Sequence, residues 1–170
     1  PMVDWRSVLR RFVQETAMAD YSWRMPNRRY LGGGFYLPSL RSEQMGPIAV
    51  AVDTSGSIDR VLLEQFRSEL QSIVDEMAPA KVHVLYCDAK IHRIDCFEKD
   101  DPIEFHPVGG GGTDFRPVFT AVNALEVAPV CLIYLTDLMG LFPEQSEEIP
   151  TLWVTAANSE APFGETVRVG

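Results

Sequence analysis

The sequence predicts an α/β fold in which helices cover both faces of a doubly wound, mostly parallel sheet. Short, continuously apolar and β-branched runs, such as 48–52 and 130–135, are typical of strands that are buried on both faces. Longer segments with apolar residues at helical spacing alternate with these runs. The run 90–97 instead alternates apolar with polar residues, which indicates one half-exposed antiparallel edge strand.

The first predicted element is an amphipathic helix that runs from Asp4 to about Ala19. Apolar residues recur along one of its faces, and Asp4 is placed to cap its start. An irregular segment rich in glycine and proline follows and is typical of a connector. We therefore divide the chain into 1–46, an N-terminal helix and basic connector packed on the domain, and 47–170, the domain itself.

The domain begins with a strand and a helix, which form the first half of a βαβ unit. The strand 48–52 leads directly into Asp53, and apolar residues then trace one helical face from Asp59 to about Met77. The run 82–86 is the next predicted buried strand. Since only a few residues separate it from the edge strand, we expect the two to form a hairpin.

The three cysteines indicate neither a zinc site nor a local disulfide. Cys87, Cys96 and Cys131 are scattered and lack the Cys-x-x-Cys spacing of zinc sites. A hairpin with its tip at 88–89 would place Cys96 opposite Lys81, away from the cysteine of the preceding strand. We interpret the cysteines as buried thiols of a reducing compartment.

The second half of the domain repeats the alternation of helix and strand. A loop of four glycines at 109–112 leads into a predicted helix from Phe115 to Leu125, with Asp114 as its cap and a proline in its first turn. The remaining predicted strands are 130–135, 151–155 and the short 166–169. In a sheet of this kind, ligands bind beyond the carboxyl ends of the strands.

Length and composition are those of one water-soluble globular domain. The chain has 170 residues, of which 46% are hydrophobic. No stretch approaches the roughly 18 continuous apolar residues of a membrane span, and the start lacks the order of a signal peptide. We expect a cytoplasmic protein that does not enter a membrane, and a chain that begins at Pro1 is expected to be part of a longer one.

Charge is unevenly distributed along the chain. The net charge is −9, yet residues 1–41 carry +4 and the remainder carries −13. A domain with this much negative charge would repel nucleic acid, so we do not expect it to bind nucleic acid. The basic segment is expected to pack across the acidic domain. The alternative is a phosphate-binding partner site at 21–30, where arginine and aromatic residues interleave.

Three segments rich in oxygen ligands stand at predicted strand ends or opposite them. Asp53-Thr-Ser-Gly-Ser57 follows the first strand, Thr136-Asp137 follows a later one, and the glycines lead to Thr113. Carboxylates and hydroxyls suit a hard divalent ion such as Mg²⁺, Mn²⁺ or Ca²⁺. We predict one divalent cation, most favourably Mg²⁺, and no organic cofactor. The predicted ligands are Asp53, Ser55, Ser57, Thr113 and Asp137.

These motifs resemble the metal-ion-dependent adhesion site, or MIDAS, of the von Willebrand factor A-type (VWA) domain. That family has Asp-x-Ser-x-Ser, then a distant Thr and a distant Asp. The resemblance covers roughly 46–156 and implies a Rossmann-like VWA fold. It also implies that Ser55, Ser57 and Thr113 ligate the ion through hydroxyls, while Asp53 and Asp137 act directly or through water. In that family a carboxylate of a protein partner fills the open coordination position, so the function expected here is metal-dependent protein binding.

A narrower resemblance is to the VWA-like C-terminal domain of predicted prokaryotic metallopeptidases of undetermined function. It rests on Trp-Arg-Met-Pro-Asn-Arg-Arg at 23–29 and on Leu-Pro-Ser-Leu at 37–40. The resemblance implies that any peptidase part lies upstream, because no His-Glu-x-x-His occurs here. We expect this chain to be a binding module and not itself an enzyme. The alternative is a metal-dependent hydrolase that uses the same site.

The segment after Asp137 departs from the family pattern. Glycine normally follows this aspartate, whereas here Leu138 and Met139 follow it, with two more apolar residues close behind. The segment 140–150 is also too short for a full crossover helix. We expect these apolar residues to plug the space of the missing helix. The alternative is a partner-binding rim beside the metal, made of Asp114, Leu138 and Met139.

Overall fold

A computed structural model describes residues 4–24, 45–55 and 58–169. The predicted connector between these first two ranges, and the predicted ligand Ser57, lie outside the described residues. The helices and strands are α1 (Trp5–Arg24), β1 (Ile48–Asp53), α2 (Arg60–Met77), β2 (Lys81–Cys87), β3 (Ile91–Glu98), α3 (Arg116–Asn123), β4 (Leu132–Leu135), β5 (Thr151–Thr155) and β6 (Glu165–Arg168). In these ranges no helix is long and apolar enough to cross a membrane.

The strands form one sheet in the order β3-β2-β1-β4-β5-β6. All neighbouring strands are parallel except β2 and β3, which are antiparallel. The predicted fold class, a mostly parallel doubly wound sheet with one antiparallel edge strand, is therefore confirmed. Every residue of β1, β4 and β5 is buried, because helices or loops cover both faces of the sheet there.

The register of the β2–β3 hairpin differs from the predicted one. Cys96 pairs with His83 and not with Lys81. The turn has one residue more than predicted, and an irregularity between Tyr86 and Cys87 shifts the pairing by one further residue. Cys96 is exposed, contrary to the prediction, while the other two cysteines are buried, and all three are free.

Helices α1 and α2 cover one face of the sheet. Leu9 of α1 and Phe66 of α2 are completely buried in one apolar cluster with β-strand residues. Asp4 caps α1 as predicted, since its carboxylate accepts a hydrogen bond from the Arg6 backbone N–H at 3.1 Å. Arginines of α1 also pair with acidic residues of the domain: Arg10 with Glu69 and Glu76, and Arg11 with Glu165. Arg10 and Arg11 of this helix therefore lie against acidic residues of the domain.

Helix α3 and the segment after β4 cover the opposite face. Trp153 lies at the centre of this second cluster, with its ring centroid 5.0 Å from that of Tyr134 and 5.3 Å from that of Phe142. Leu138 is buried in the same cluster, and Phe142 packs against it. These apolar residues fill the place of the missing crossover helix, whereas α1 lies on the other face and does not contribute there.

Candidate metal centre

Polar residues lie at, or directly after, the carboxyl ends of three neighbouring strands of the sheet. Asp53 is the last residue of β1 and pairs with Cys87 of β2, so that Asp88 comes directly after that strand. In β4, Leu135 pairs with the residue before Asp53, which places Thr136 beside the same carboxyl end. Because the three strands are parallel, their polar ends meet, as expected for a ligand site in this kind of sheet.

Asp53 is the centre of this group of side chains. Its carboxylate is buried, with a relative exposure of 1%. Oδ1 accepts hydrogen bonds from the Ser55 backbone N–H at 3.0 Å and from the Thr113 hydroxyl at 3.4 Å. Oδ2 accepts one from the Thr136 hydroxyl at 2.6 Å. These donors satisfy a carboxylate whose burial would otherwise be costly. Asp53, Ser55, Thr113 and Thr136 are hereafter the Asp53 cluster.

The loop that carries Thr113 is joined to the loop after β4. The Phe115 backbone N–H donates to the Leu141 carbonyl at 2.9 Å, and Asp114 bridges to the same residue. A Cβ at Gly140 would lie only 2.8 Å from Cγ2 of Thr113, so a glycine is needed where the loops touch. Asp137 lies in the second loop, where its carboxylate accepts the Met139 backbone N–H at 2.9 Å.

The residue after Asp137 keeps the conformation of a glycine although it is a leucine. Leu138 has a φ of 67°, in the left-handed region that glycine adopts most easily. This conformation costs roughly 1–2 kcal/mol for a residue with a side chain. Burial of the Leu138 side chain, which is 8% exposed, offsets that cost by a similar amount. Leu138 therefore adopts a left-handed conformation beside Asp137 at a small net cost.

The apolar residues after β4 are divided between the core and the surface. Leu138 belongs to the core, whereas Met139 and Leu141 are 75% and 58% exposed. Asp114, the third residue of the predicted rim, binds the Arg116 side chain at 2.8 and 2.9 Å, and this pairing lowers the pKa of Asp114. The same carboxylate accepts the Arg116 backbone N–H at 3.0 Å. The predicted cap of α3 is nevertheless wrong by one residue, because Phe115 occupies the cap position and makes no side-chain capping hydrogen bond.

Asp88 is a buried carboxylate that sequence reasoning did not single out. Its Oδ2 accepts the backbone N–H groups of Gly110 at 3.2 Å and Gly111 at 2.9 Å. Its Oδ1 accepts the Lys90 N–H at 3.1 Å. Nε2 of His92 lies 2.7 Å from Oδ1. The Gly111 N–H, first among these contacts, holds the pKa of Asp88 well below its usual value.

Asp88 therefore fixes the glycine loop, residues 109–113, which ends in Thr113. The Asp114 backbone N–H also donates to the Asp88 carbonyl at 3.0 Å, just beyond the loop. Asp88 could have been found by the rule that located Asp53, because it also follows the carboxyl end of a parallel strand. The role of Asp88 could not have been predicted in this way, because it depends on a loop more than twenty residues later in the chain.

Substitution of Gly109 by alanine is expected to destabilise the glycine loop. Gly109 has a φ of 131°, and a Cβ there would lie 2.4 Å from the Thr54 hydroxyl oxygen. We expect Gly109→Ala to lower the free energy of unfolding by about 2 kcal/mol. Gly112→Ala is the matched control, because a Cβ there meets nothing within 4 Å. Urea unfolding of both variants measures the difference, and equal stabilities would contradict the expectation.

The donors at this edge suit a hard cation. The described part of the chain contains no group of three or more His, Cys, Asp or Glu residues that could hold a metal ion. A cation here would thus depend on hydroxyls as well as carboxylates, namely Ser55 and Thr113 with Asp53 and Asp137. Oxygen ligands of this kind fit Mg²⁺, which binds few protein groups and retains several waters. Ser57 remains a prediction from the sequence.

Two protein families match the sequence of this chain. A family described as "VWA-like domain (DUF2201)" matches residues 48–170, and one described as "Putative metallopeptidase domain" matches residues 1–41. The chain is 37% identical over 119 residues to an uncharacterised protein of Thermotoga maritima, with 69% of this chain aligned. It spans only 29% of the length of that relative. No solved structure gives a significant match.

Proposed function

The chain belongs to the VWA-like domain family, and from this premise we propose that it binds a divalent cation and uses the ion to hold an acidic group of a protein partner. Mg²⁺ is the favoured ion, with Mn²⁺ or Ca²⁺ as alternatives. The proposed ligands are Asp53, Ser55, Ser57, Thr113 and Asp137.

The observation that carries this proposal is the environment of Asp53. This buried carboxylate accepts hydrogen bonds from hydroxyl groups of two different loops, the Thr113 hydroxyl at 3.4 Å and the Thr136 hydroxyl at 2.6 Å. Hydroxyl oxygens that already converge on one carboxylate can turn their lone pairs toward a cation with little rearrangement. A bound cation that keeps an open position attracts a further carboxylate, which is the chemistry of partner binding proposed here.

The positions of the histidines favour binding over hydrolysis. A serine nucleophile needs a neighbouring base to activate it. Nε2 of His92 lies against Asp88, His83 is in β2, and His106 is 3.6 Å from Glu104. Among the described residues, none of these histidines makes a hydrogen bond or an ion pair with the Asp53 cluster.

Titration with metal tests the proposed ion site. In isothermal titration calorimetry we expect Mg²⁺ and Mn²⁺ to bind the full chain, and thermal unfolding should shift upward with either ion. Thr113→Val keeps the shape of the side chain but removes the hydroxyl, and should weaken Mg²⁺ binding about tenfold, or about 1.4 kcal/mol. Thr120→Val, on the exposed face of α3, is the matched control and should leave the affinity unchanged.

Two results would overturn the proposal. Absence of metal-dependent heat and of thermal stabilisation in the unmodified chain would remove the ion site. Metal-dependent turnover of phosphatase or peptidase substrates, lost in Asp137→Ala, would show that the same site catalyses hydrolysis.

The larger protein is proposed to carry any peptidase activity outside this chain. Residues 1–41 match a family described as "Putative metallopeptidase domain", yet the sequence contains no His-Glu-x-x-His, which supports placing the catalytic part of that domain elsewhere in the larger protein. The Thermotoga maritima relative is much longer than this chain, which covers 29% of its length, and this also supports the assignment. In that arrangement the present domain would recruit an acidic partner to the neighbouring peptidase part.

A further inference from the structure

A groove runs from the Asp53 cluster along the start of α2. Its volume is about 480 Å³, within the range of roughly 300–1,000 Å³ that is usual for ligand pockets. Asp53 and Thr54 line the end that meets the cluster. Its side walls are formed by Ile58, Arg60, Leu63, Phe105, Pro107 and Val108. We call this feature the α2 groove. The groove therefore reaches Asp53, one of the proposed ligands.

One wall of the α2 groove is held in place by contacts with α2 and β2. The Ile103 backbone N–H donates to Oε1 of Gln71 at 2.7 Å, and the His106 backbone N–H donates to the Tyr86 hydroxyl at 2.7 Å. Between them, the Phe105 ring stacks on Phe66 with centroids 6.0 Å apart. A wall fixed in this way loses little conformational entropy when it binds a segment of another protein.

Five of the six wall residues are apolar, and the sixth, Arg60, has no carboxylate partner among the described residues. Val108 is 42% exposed, and Leu63 and Phe105 are partly buried. Arg60 is exposed, and within the described part of the chain no acidic group lies within ion-pair distance of it. Five other arginines do have carboxylate partners: Arg10, Arg11, Arg67, Arg93 and Arg116. In an acidic chain, a positive charge left unpaired beside a groove suits an acidic ligand.

We propose that the partner segment that places an acidic group at the metal also inserts an adjacent apolar side chain into the α2 groove and pairs a second acidic group with Arg60. The partner is thus a protein with an acid-apolar-acid segment. This proposal rests on the proposed metal site, and it adds what would distinguish one acidic partner from another. A single carboxylate at an ion gives little discrimination, whereas burial of an apolar side chain beside it gives more.

Selection from a library of short random peptides, displayed on phage, tests the proposal with the full chain. In the presence of Mg²⁺, we expect enriched peptides to carry an acidic residue, a bulky apolar residue next to it or one position away, and a second acidic residue. Enrichment should be lost when EDTA replaces Mg²⁺. A synthetic peptide of the enriched sequence should bind about tenfold more weakly when its apolar residue is changed to glycine.

Two variants of the domain test the walls of the groove. Arg60→Gln should weaken the enriched peptide up to about fivefold and remove the preference for the second acidic residue, whereas Arg168→Gln on β6 should not. Val108→Ser should weaken the peptide a few-fold through lost apolar contact. Its control is Val127→Ser, because Val127 is exposed and does not line the α2 groove.

The outcomes separate this proposal from the proposed metal site. If calorimetry detects no Mg²⁺ binding, both proposals are wrong. If Mg²⁺ binds but no peptide is enriched, or the enriched peptides carry acidic residues without an adjacent apolar one, the metal site stands and the α2 groove proposal is wrong. Equal peptide affinities in Arg60→Gln and Arg168→Gln would also contradict it.

Discussion

Leu9→Ala is expected to lower the free energy of unfolding by about 3 kcal/mol, although Leu9 lies outside the match to the VWA-like domain family. Leu9 has 0% exposure and packs in the same cluster as the core residues of α2 and the sheet. Its truncation removes apolar contacts and leaves a cavity that the surrounding side chains fill only partly. Urea unfolding followed by circular dichroism measures the change.

Leu141→Ala is the matched control for this prediction. Leu141 is 58% exposed, so the same substitution should change stability by no more than about 0.5 kcal/mol. If Leu9→Ala also changed stability this little, α1 would be an attached helix and not part of the domain core. The expected result would show that a stable version of this domain must include α1 as well as residues 48–170.

Asp88→Ala is expected to weaken Mg²⁺ binding about tenfold without removing any proposed ligand. Asp88 holds the Gly110 and Gly111 N–H groups, and the loop they belong to carries Thr113. Loss of these charge-assisted hydrogen bonds should also lower the free energy of unfolding by about 2 kcal/mol. Calorimetric titration with Mg²⁺ and urea unfolding measure the two effects.

A double-mutant cycle shows whether Asp88 acts through Thr113. If it does, Asp88→Ala should weaken Mg²⁺ binding little further in a chain that already carries Thr113→Val. Asp101→Ala is the matched control. The Asp101 carboxylate also accepts a backbone N–H, that of Glu98, but in a turn outside the Asp53 cluster. Fully additive losses in the cycle would contradict a positioning role for Asp88.

The pH dependence of stability provides a separate measurement of Asp88. Its pKa is lowered in the folded chain, so its charged form stabilises the fold above the ordinary carboxyl pKa of 3.8. That contribution is lost as the pH falls below this value toward the lower folded pKa. The difference in stability between the unmodified chain and Asp88→Ala should therefore be full near neutral pH and shrink in acid. A difference that stays constant down to pH 3.8 and below would contradict this account.

Local sequence patterns predicted most of the fold and the centre of the candidate site. Continuous apolar runs located the buried strands, and helical spacing located the helices, because both signals depend on a few neighbouring residues. Since ligands bind at the carboxyl ends of parallel strands, the position of Asp53 after its strand was enough to select it. The contact between the Thr113 hydroxyl and Asp53 then agrees with the predicted convergence of two distant segments.

The tertiary structure decided features that depend on which distant segments meet. The pairing of Cys96 with His83 depends on the length of a turn and on one irregularity in β2, which the alternation of residues does not encode. The assignment of Leu138 to the core and of Met139 to the surface depends on the space left by an absent helix. The role of Asp88 requires the glycine loop to lie against it.

The sequence alone therefore determined the fold class, the acidic character of the domain and the residue types offered to a cation. Each of these follows from composition or from short-range periodicity, which survives without knowledge of contacts. Only the tertiary structure decided that Asp88 fixes the loop of Thr113, that α1 shares one core cluster with α2, and that a groove lined by Arg60 and five apolar residues adjoins Asp53. The physical reason is that packing joins residues far apart in the chain, and no local pattern specifies such contacts.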